Sequence, residues 1–142
     1  MLYGISKSLS DRLKRGLNTA ARIVIRTRVR NHITPVFKSL HWLPIVQRCV
    51  FKTALLTFKI LHDMAPSYLT DLIKYHFPSC NLRSECDIQL KVPKVKTSSG
   101  SRAFVVAAPT LWNSLPNNIR TCTSLDSFKG KLKTFLVANA YG

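Results

Sequence analysis

The chain has 142 residues, of which 46% are hydrophobic, so it is long and apolar enough for one domain with a buried core, and overall disorder is disfavoured. Its 22 Lys and Arg against 6 Asp and Glu give a net charge of +16, which favours a polyanionic partner, first nucleic acid and second an anionic membrane surface. Lys52 and Lys59 interrupt the most apolar stretch, so no membrane span of about 20 residues is predicted.

The amino-terminal segment and the cysteines indicate the compartment. MLYGISKSLSDRLKR lacks the apolar core and cleavage site of a secretory signal, so we expect an intracellular protein, in the nucleus or the cytoplasm. The four cysteines suit a reducing environment, and no disulfide is expected. Cys80 and Cys86, near His76, have no second pair at zinc-binding spacing, so no metal or other cofactor is predicted.

The first predicted element is an amphipathic helix over about residues 8–30. Its apolar stripe consists of Leu9, Leu13, Leu17, Ala20 and Val24. The opposite side carries five arginines at helical spacing: Arg12, Arg15, Arg22, Arg26 and Arg30. The planar fork of arginine suits phosphate contacts, so nucleic-acid binding is the favoured interpretation. A solvated face and a contact with an acidic protein or lipid surface are the alternatives.

Three prolines mark the next helices, since proline is favoured at the first helical position. Pro35, Pro44 and Pro66 predict helices over about 35–40, 44–62 and 66–73. The long helix is apolar around most of its circumference and is predicted to lie in the core. Its narrow basic ridge contains Arg48, Lys52 and Lys59, which we interpret as a solvated face rather than a phosphate-binding ridge. Trp42 is predicted to anchor the preceding corner in the core.

Helical periodicity is lost after residue 73. Ile88, Leu90 and Val92 alternate with polar residues as in a half-buried strand, and the cluster at 97–101 predicts a turn. Residues 101–106 would then supply a returning strand, giving a short β-hairpin or a pair of extended segments. This region holds a second basic group: Lys91, Lys94, Lys96 and Arg102. The group is either a clamp on a nucleic-acid backbone or a charged surface loop.

The last part of the chain is predicted to be helical again. A short helix over about 109–114 is followed by a long one, for which Thr123 and Asp126 form a capping box. The sequence thus predicts a mainly α-helical fold of about five to seven helices with a hairpin or extended insertion near 87–106. One domain, 1–142, would comprise a helical part (8–73), an extended basic insertion (74–106) and a second helical part (107–138).

No pattern in the sequence predicts catalysis. Glycine-rich phosphate loops, nucleophile elbows and zinc-protease motifs are absent from the sequence, and the six acidic residues are scattered. Glu85 and Asp87 are close together, but they fall in a predicted loop and are poor candidates for metal-dependent chemistry. The histidines have no partner at useful spacing. Neither a catalytic residue nor a small-molecule substrate is therefore predicted.

Several motifs, in order, resemble the C-terminal tail of reverse transcriptases from non-LTR, LINE-type retrotransposons of animals. They are HITPVFKSLHWLP, APSYL and GSRAFVVAAPTLWNSLP with SFKGKLKTFL, and the similarity spans about residues 17–136. In that family the tail follows the palm and thumb of an RNA-directed DNA polymerase. The palm motif with its paired aspartates is missing here, so the resemblance implies no catalytic residue in this chain.

Charge and resemblance together predict a non-catalytic region that binds RNA or DNA non-specifically through the two basic groups. The rest of a reverse transcriptase is a further expected partner. One alternative is an interaction module that docks on the thumb of the parent polymerase, and another is a non-functional remnant of a truncated retrotransposon. An enzyme in its own right would rest on the family association alone.

Overall fold

In the computed structural model, the described residues are 4–26, 28, 31–76 and 89–141. This part of the chain contains eight helices and no sheet, so the predicted mainly α-helical fold is confirmed, with more helices than expected. In chain order they are α1 (Lys7–Ile25), α2 (Thr34–Ser39), α3 (Ile45–Leu61), α4 (Ser67–Thr70), α5 (Ser98–Ser101), α6 (Phe104–Ser114), α7 (Asn117–Arg120) and α8 (Leu125–Tyr141).

Helix α3 is the centre of the fold and packs against α1, α6 and α8. Phe58 of α3 is fully buried and stacks on Phe128 of α8, with 4.3 Å between ring centroids. Trp112 of α6 also stacks on Phe128, with 5.9 Å between ring centroids. The buried Thr57 satisfies its hydroxyl within α3 by donating to the Thr53 carbonyl oxygen at 2.9 Å. The prediction that the long helix lies in the core is thus confirmed.

Helix α1 ends earlier than predicted. It stops at Ile25, and Arg26 adopts a left-handed conformation with φ of 55°. The β-branched residues Ile23, Val24 and Ile25 have restricted side chains that favour helix only weakly. The helical extension to residue 30 is therefore wrong. Residues 27, 29 and 30 lie outside the described part of the chain.

The predicted returning strand at residues 101–106 is also wrong. Helix α5 occupies residues 98–101, and α6 begins at Phe104, five residues before the predicted start at Pro109. Burial of Val106, Ala107 and Ala108 in the contact between α6 and α3 outweighs the local preference for an extended chain. Pro109 lies inside α6, where its ring removes one backbone hydrogen bond without ending the helix.

Within the predicted insertion, residues 91–95 are not helical, but 98–101 and 104–106 are, and the described residues contain no β-hairpin. Leu90 instead forms an isolated antiparallel bridge with Tyr75, in which Lys91 N–H donates to the Lys74 carbonyl oxygen at 2.8 Å. The other edge of Leu90 is held by the side-chain amide of Asn113, which accepts from its N–H at 2.9 Å and donates to its carbonyl at 2.8 Å. Asn113 of α6 therefore replaces the missing strand partner.

Three other helix boundaries differ from the prediction. Helix α4 covers only residues 67–70 of the expected 66–73, and α7 was not predicted at all. Helix α8 begins two residues after Thr123, the predicted cap, and continues to residue 141 rather than 138. None of the helices in the described part of the chain is long and apolar enough to cross a lipid bilayer.

The carboxyl end of α8 is attached to the corner before α3. The Tyr141 hydroxyl donates to the Trp42 carbonyl oxygen at 2.6 Å. Trp42 is half-buried and packs against a second, smaller apolar cluster that includes Val36 and Phe37. Arg48 fixes the same corner, because its Nε donates to the Leu43 carbonyl oxygen at 2.9 Å. One member of the α3 basic ridge therefore has a structural role.

Replacing Tyr141 by phenylalanine is expected to lower the free energy of unfolding by about 1 kcal/mol near neutral pH, through loss of this hydrogen bond. Burial raises the pKa of Tyr141 above its ordinary value, an effect that the nearby Arg48 partly offsets. The folded state thus holds the phenol proton more tightly than the unfolded state, and this stabilisation is lost as pH rises through the raised pKa. Urea unfolding at pH values from about 7 to 11 should show the two stability curves converging above about pH 10. Parallel curves would contradict this prediction.

Candidate nucleic-acid interface

The positive charge is mostly uncompensated. If each of the 6 acidic residues neutralised one cation, 16 of the 22 Lys and Arg would still have no acidic partner. Lys129 and Asp126 of α8 form one ion pair, with 3.2 Å between Nζ and Oδ1. The cations in excess over the acidic residues are available to an external polyanion where the fold leaves them exposed.

Two of the predicted arginines lie exposed on α1 itself. Arg12 and Arg15 both reach solvent, and Arg15 is positioned by a long hydrogen bond of 3.4 Å from its Nε to the Asp11 carbonyl oxygen. Arg26 is also exposed, but it belongs to the left-handed turn after α1 and not to the helical ridge. These three guanidinium groups are accessible to phosphate.

The remaining two arginines of the predicted ridge differ from the others. Arg22 is half-buried, and its Nη2 lies 3.4 Å from the Asn31 carbonyl oxygen, to which it donates. Its Nε is buried and has no partner among the described residues. Arg22 therefore contacts the connection between α1 and α2. Arg30 lies outside the described residues.

The second basic group follows the bridge at Leu90. Its four members are all exposed: Lys91, Lys94, Lys96 and Arg102. Asn113 and the bridge hold the beginning of this group against α6, and the Arg102 Nε donates to the Ser98 carbonyl oxygen at 3.2 Å. We call residues 91–102 the basic segment.

The fold adds a lysine that sequence reasoning missed. Lys74 is exposed and lies directly across the bridge from Lys91. Two like charges facing each other on neighbouring strands repel, which favours an anion between them. Asp71, together with both lysines, lines a shallow hollow of about 340 Å³ at this place. The sequence does not predict that Lys74 pairs with Lys91, because this pairing depends on a reversal of chain direction that no local pattern indicates.

The two basic groups adjoin at the beginning of α1. A Cβ atom added to Gly4 would lie 2.7 Å from Arg102 Cγ, so the arginine side chain packs directly on the backbone that precedes the helix. Gly4 also has φ of 68°, a conformation that favours glycine. Arg12 is five residues into α1, about 8 Å along the helix axis from its first residue. Arg102, the last residue of the basic segment, therefore lies beside the beginning of α1, and Arg12 is the nearest of the α1 arginines along the chain.

Metal-binding groups do not form a cluster in the part of the chain that the structure describes. There, no three His, Cys, Asp or Glu side chains are arranged to hold a metal ion. Cys49 and Cys122 are free thiols. Cys80 and Cys86, which the sequence analysis considered as zinc ligands, lie outside the described residues, as do Glu85 and Asp87.

Comparison of the chain with protein-family models, with curated proteins and with solved structures found no match. The candidate interface therefore rests on geometry and charge.

Proposed function

We propose that this chain is a non-catalytic C-terminal region of a LINE-type reverse transcriptase that binds the phosphate backbone of RNA or DNA without sequence specificity. The parent protein would be an RNA-directed DNA polymerase, and this region would hold the nucleic acid rather than copy it. The resemblance in the HWLP, APSYL and LWNSLP segments supports the origin. The proposed nucleic-acid binding follows from charge and exposure.

The observation that supports binding most directly is the contact between Arg102 and Gly4, because it puts one end of the basic segment beside the beginning of the helix that carries Arg12 and Arg15. Phosphate contacts from Lys and Arg supply most of the affinity of non-specific nucleic-acid binding. Lys91, Lys94 and Lys96 lie two or three residues apart in and just after a stretch without helix, which suits contacts with successive phosphates, and the planar guanidinium groups of Arg12 and Arg15 suit bidentate contacts with phosphate oxygens.

The test is fluorescence anisotropy of the whole chain with a labelled single-stranded RNA of about 20 nucleotides and, separately, a DNA duplex. The variant K91Q/K94Q/K96Q should lose at least about tenfold in RNA affinity at about 50 mM salt. The matched control K129Q/K131Q/K133Q removes the same charge from α8 and should lose less than about threefold. Replacing Arg12, Arg15 and Arg26 by glutamine should also weaken binding, which tests the α1 contribution.

Equal losses in the two lysine variants would show that net charge alone matters, and would contradict the assignment of the basic segment. Unchanged RNA affinity in the arginine variant would remove α1 from the interface. If the unmodified chain did not bind either nucleic acid at the lowest salt concentration, the proposed function would be wrong.

A further inference from the structure

Helix α1 leaves part of its apolar surface without a partner in the described fold. Ala21 is its one buried residue there, and Leu17 beside it packs against the smaller apolar cluster. Leu9, Leu13 and Ile23, on a neighbouring side of the helix, are 44%, 37% and 70% exposed. Single exposed aliphatic side chains are ordinary, but a continuous row of them along one side of a helix is the kind of surface that marks an interaction site.

The exposed apolar residues of α1 follow a heptad spacing. Steps of four, three, four and three residues connect the members of the row: Leu9, Leu13, Gly16, Ala20 and Ile23. This is the spacing at which one helix packs along another. We call this row the α1 seam.

Small residues occupy the middle of the α1 seam. A Cβ atom added to Gly16 would meet no heavy atom within 4 Å, so the described fold has no steric need for glycine there. Glycine inside a helix costs about 1 kcal/mol relative to alanine. Gly16 and Ala20 leave a shallow depression between Leu13 and Ile23, which lets the axis of a second helix come close. A bilayer would gain little from these two residues, because insertion depends on apolar area.

The positive charge beside the α1 seam indicates which kind of partner can bind there. Arg12 lies next to the α1 seam on the helix surface, and Arg15 follows on the same side. A second copy of this chain packed antiparallel would bring the two arginine ridges together, and the net charge of +16 on each copy opposes association. A helix with glutamate or aspartate beside its own apolar stripe would instead pair with these arginines.

We propose that the α1 seam binds an amphipathic helix of an acidic partner protein. The partner's apolar stripe would cover Leu9, Leu13 and Ile23, and its small or aliphatic residues would pack over Gly16 and Ala20. Its carboxylates would pair with Arg12 and Arg15. Arg12 and Arg15 are shared with the proposed nucleic-acid interface, whereas the apolar residues of the α1 seam are not, so substitutions at the apolar residues test the helix contact separately.

The test uses the whole chain and a fluorescein-labelled synthetic helix of about four heptads, with leucine at the core positions and glutamate at the flanking positions. A second peptide has glutamine in place of glutamate. The seam variant L9Q/L13Q is compared with M64Q/Y68Q, which removes two exposed apolar residues elsewhere. Glutamine keeps the helix propensity of α1, and neither variant changes the charge, so general attraction to the acidic peptide is equal in both.

The unmodified chain should bind the glutamate peptide at least about tenfold more tightly than the glutamine peptide. The seam variant should lose at least about tenfold in affinity for it, while the control variant stays within about twofold. RNA affinity should be the same in both variants, so failure of the α1 seam and failure of nucleic-acid binding give different results.

Equal affinity of the seam and control variants for the glutamate peptide would overturn the proposal. It would also be overturned if the seam variant lost binding to phosphatidylserine vesicles but not to the peptide, because the occupant would then be a lipid surface. A dimer in light scattering that the seam substitutions dissociate would identify a second copy as the occupant, with the same consequence.

Discussion

The affinity of the chain for single-stranded RNA is expected to fall about a thousandfold between about 50 and 200 mM salt. Each neutralised phosphate releases counterions, so the logarithm of the affinity falls linearly with the logarithm of the salt concentration, by about 0.7 per contact on a single strand. Seven exposed cations of the two basic groups can contribute: Arg12, Arg15, Arg26, Lys91, Lys94, Lys96 and Arg102. Anisotropy titrations at four salt concentrations measure the slope.

The two lysine variants provide the control for this slope. Removing Lys91, Lys94 and Lys96 should make it shallower by about two units, whereas removing the three α8 lysines should leave it nearly unchanged. A slope close to zero for the unmodified chain would mean that phosphate neutralisation does not drive binding. The same titration with a DNA duplex should give a steeper slope if the number of phosphate contacts is the same. The slopes thus report the number of contacts, and the affinities at one salt concentration report the preference for RNA or DNA.

The substitution Phe128→Ala is expected to lower the free energy of unfolding by about 3–5 kcal/mol. The ring is fully buried and stacks on Phe58 and Trp112, with centroid distances of 4.3 and 5.9 Å, so its removal leaves a cavity that these two rigid aromatic neighbours cannot fill. Domains of this size have only about 5–15 kcal/mol of stability in total. Urea unfolding followed by circular dichroism should show a large decrease in the midpoint, or loss of helix without denaturant.

Phe135 provides the matched control for Phe128. It lies on the same helix, but it is only half-buried and borders an open groove between α7 and α8. Phe135→Ala should therefore cost less than half as much as Phe128→Ala, since the site is already open to water and less packing is lost. Similar losses at both positions would mean that the aromatic stack is not the centre of the core.

The sequence predicted best those features that depend on local chemistry. Pro35, Pro44 and Pro66 each stand within one residue of the beginning of a helix, because the proline ring fixes a backbone angle whatever surrounds it. The apolar circumference of α3 predicted its central position, and Ala54, Phe58 and Ile60 are buried there. These inferences needed no knowledge of how distant segments meet.

Features set by contacts between distant segments were missed. Phe104, Val105 and Val106 have side chains that suit a strand, and only the surface of α3 makes a helix the better arrangement. Likewise, nothing in the local sequence near Leu90 indicates that an asparagine 23 residues later bonds to both of its backbone groups.

In the candidate site, too, local patterns were predicted and contacts between distant segments were missed. On a helical wheel Arg12 and Arg22 are equivalent members of one ridge, yet Arg12 is exposed while Arg22 contacts the connection to α2. The apolar stripe of α1 was identified from periodicity, but the wheel could not show which part of it packs. The fold buries Ala21 and leaves Leu9 and Leu13 exposed, which is how the α1 seam arises.

The bridge between Tyr75 and Leu90 also has a consequence for how Lys91 meets a ligand. The main chain around Tyr75 pairs with one edge of this stretch, where His76 N–H donates to the Gln89 carbonyl oxygen at 2.9 Å, and the Asn113 side chain pairs with the other edge at Leu90. The backbone that carries Lys91 is therefore already ordered in the free protein. A ligand that binds this lysine does not have to supply the free energy of ordering that backbone, which is a form of preorganisation.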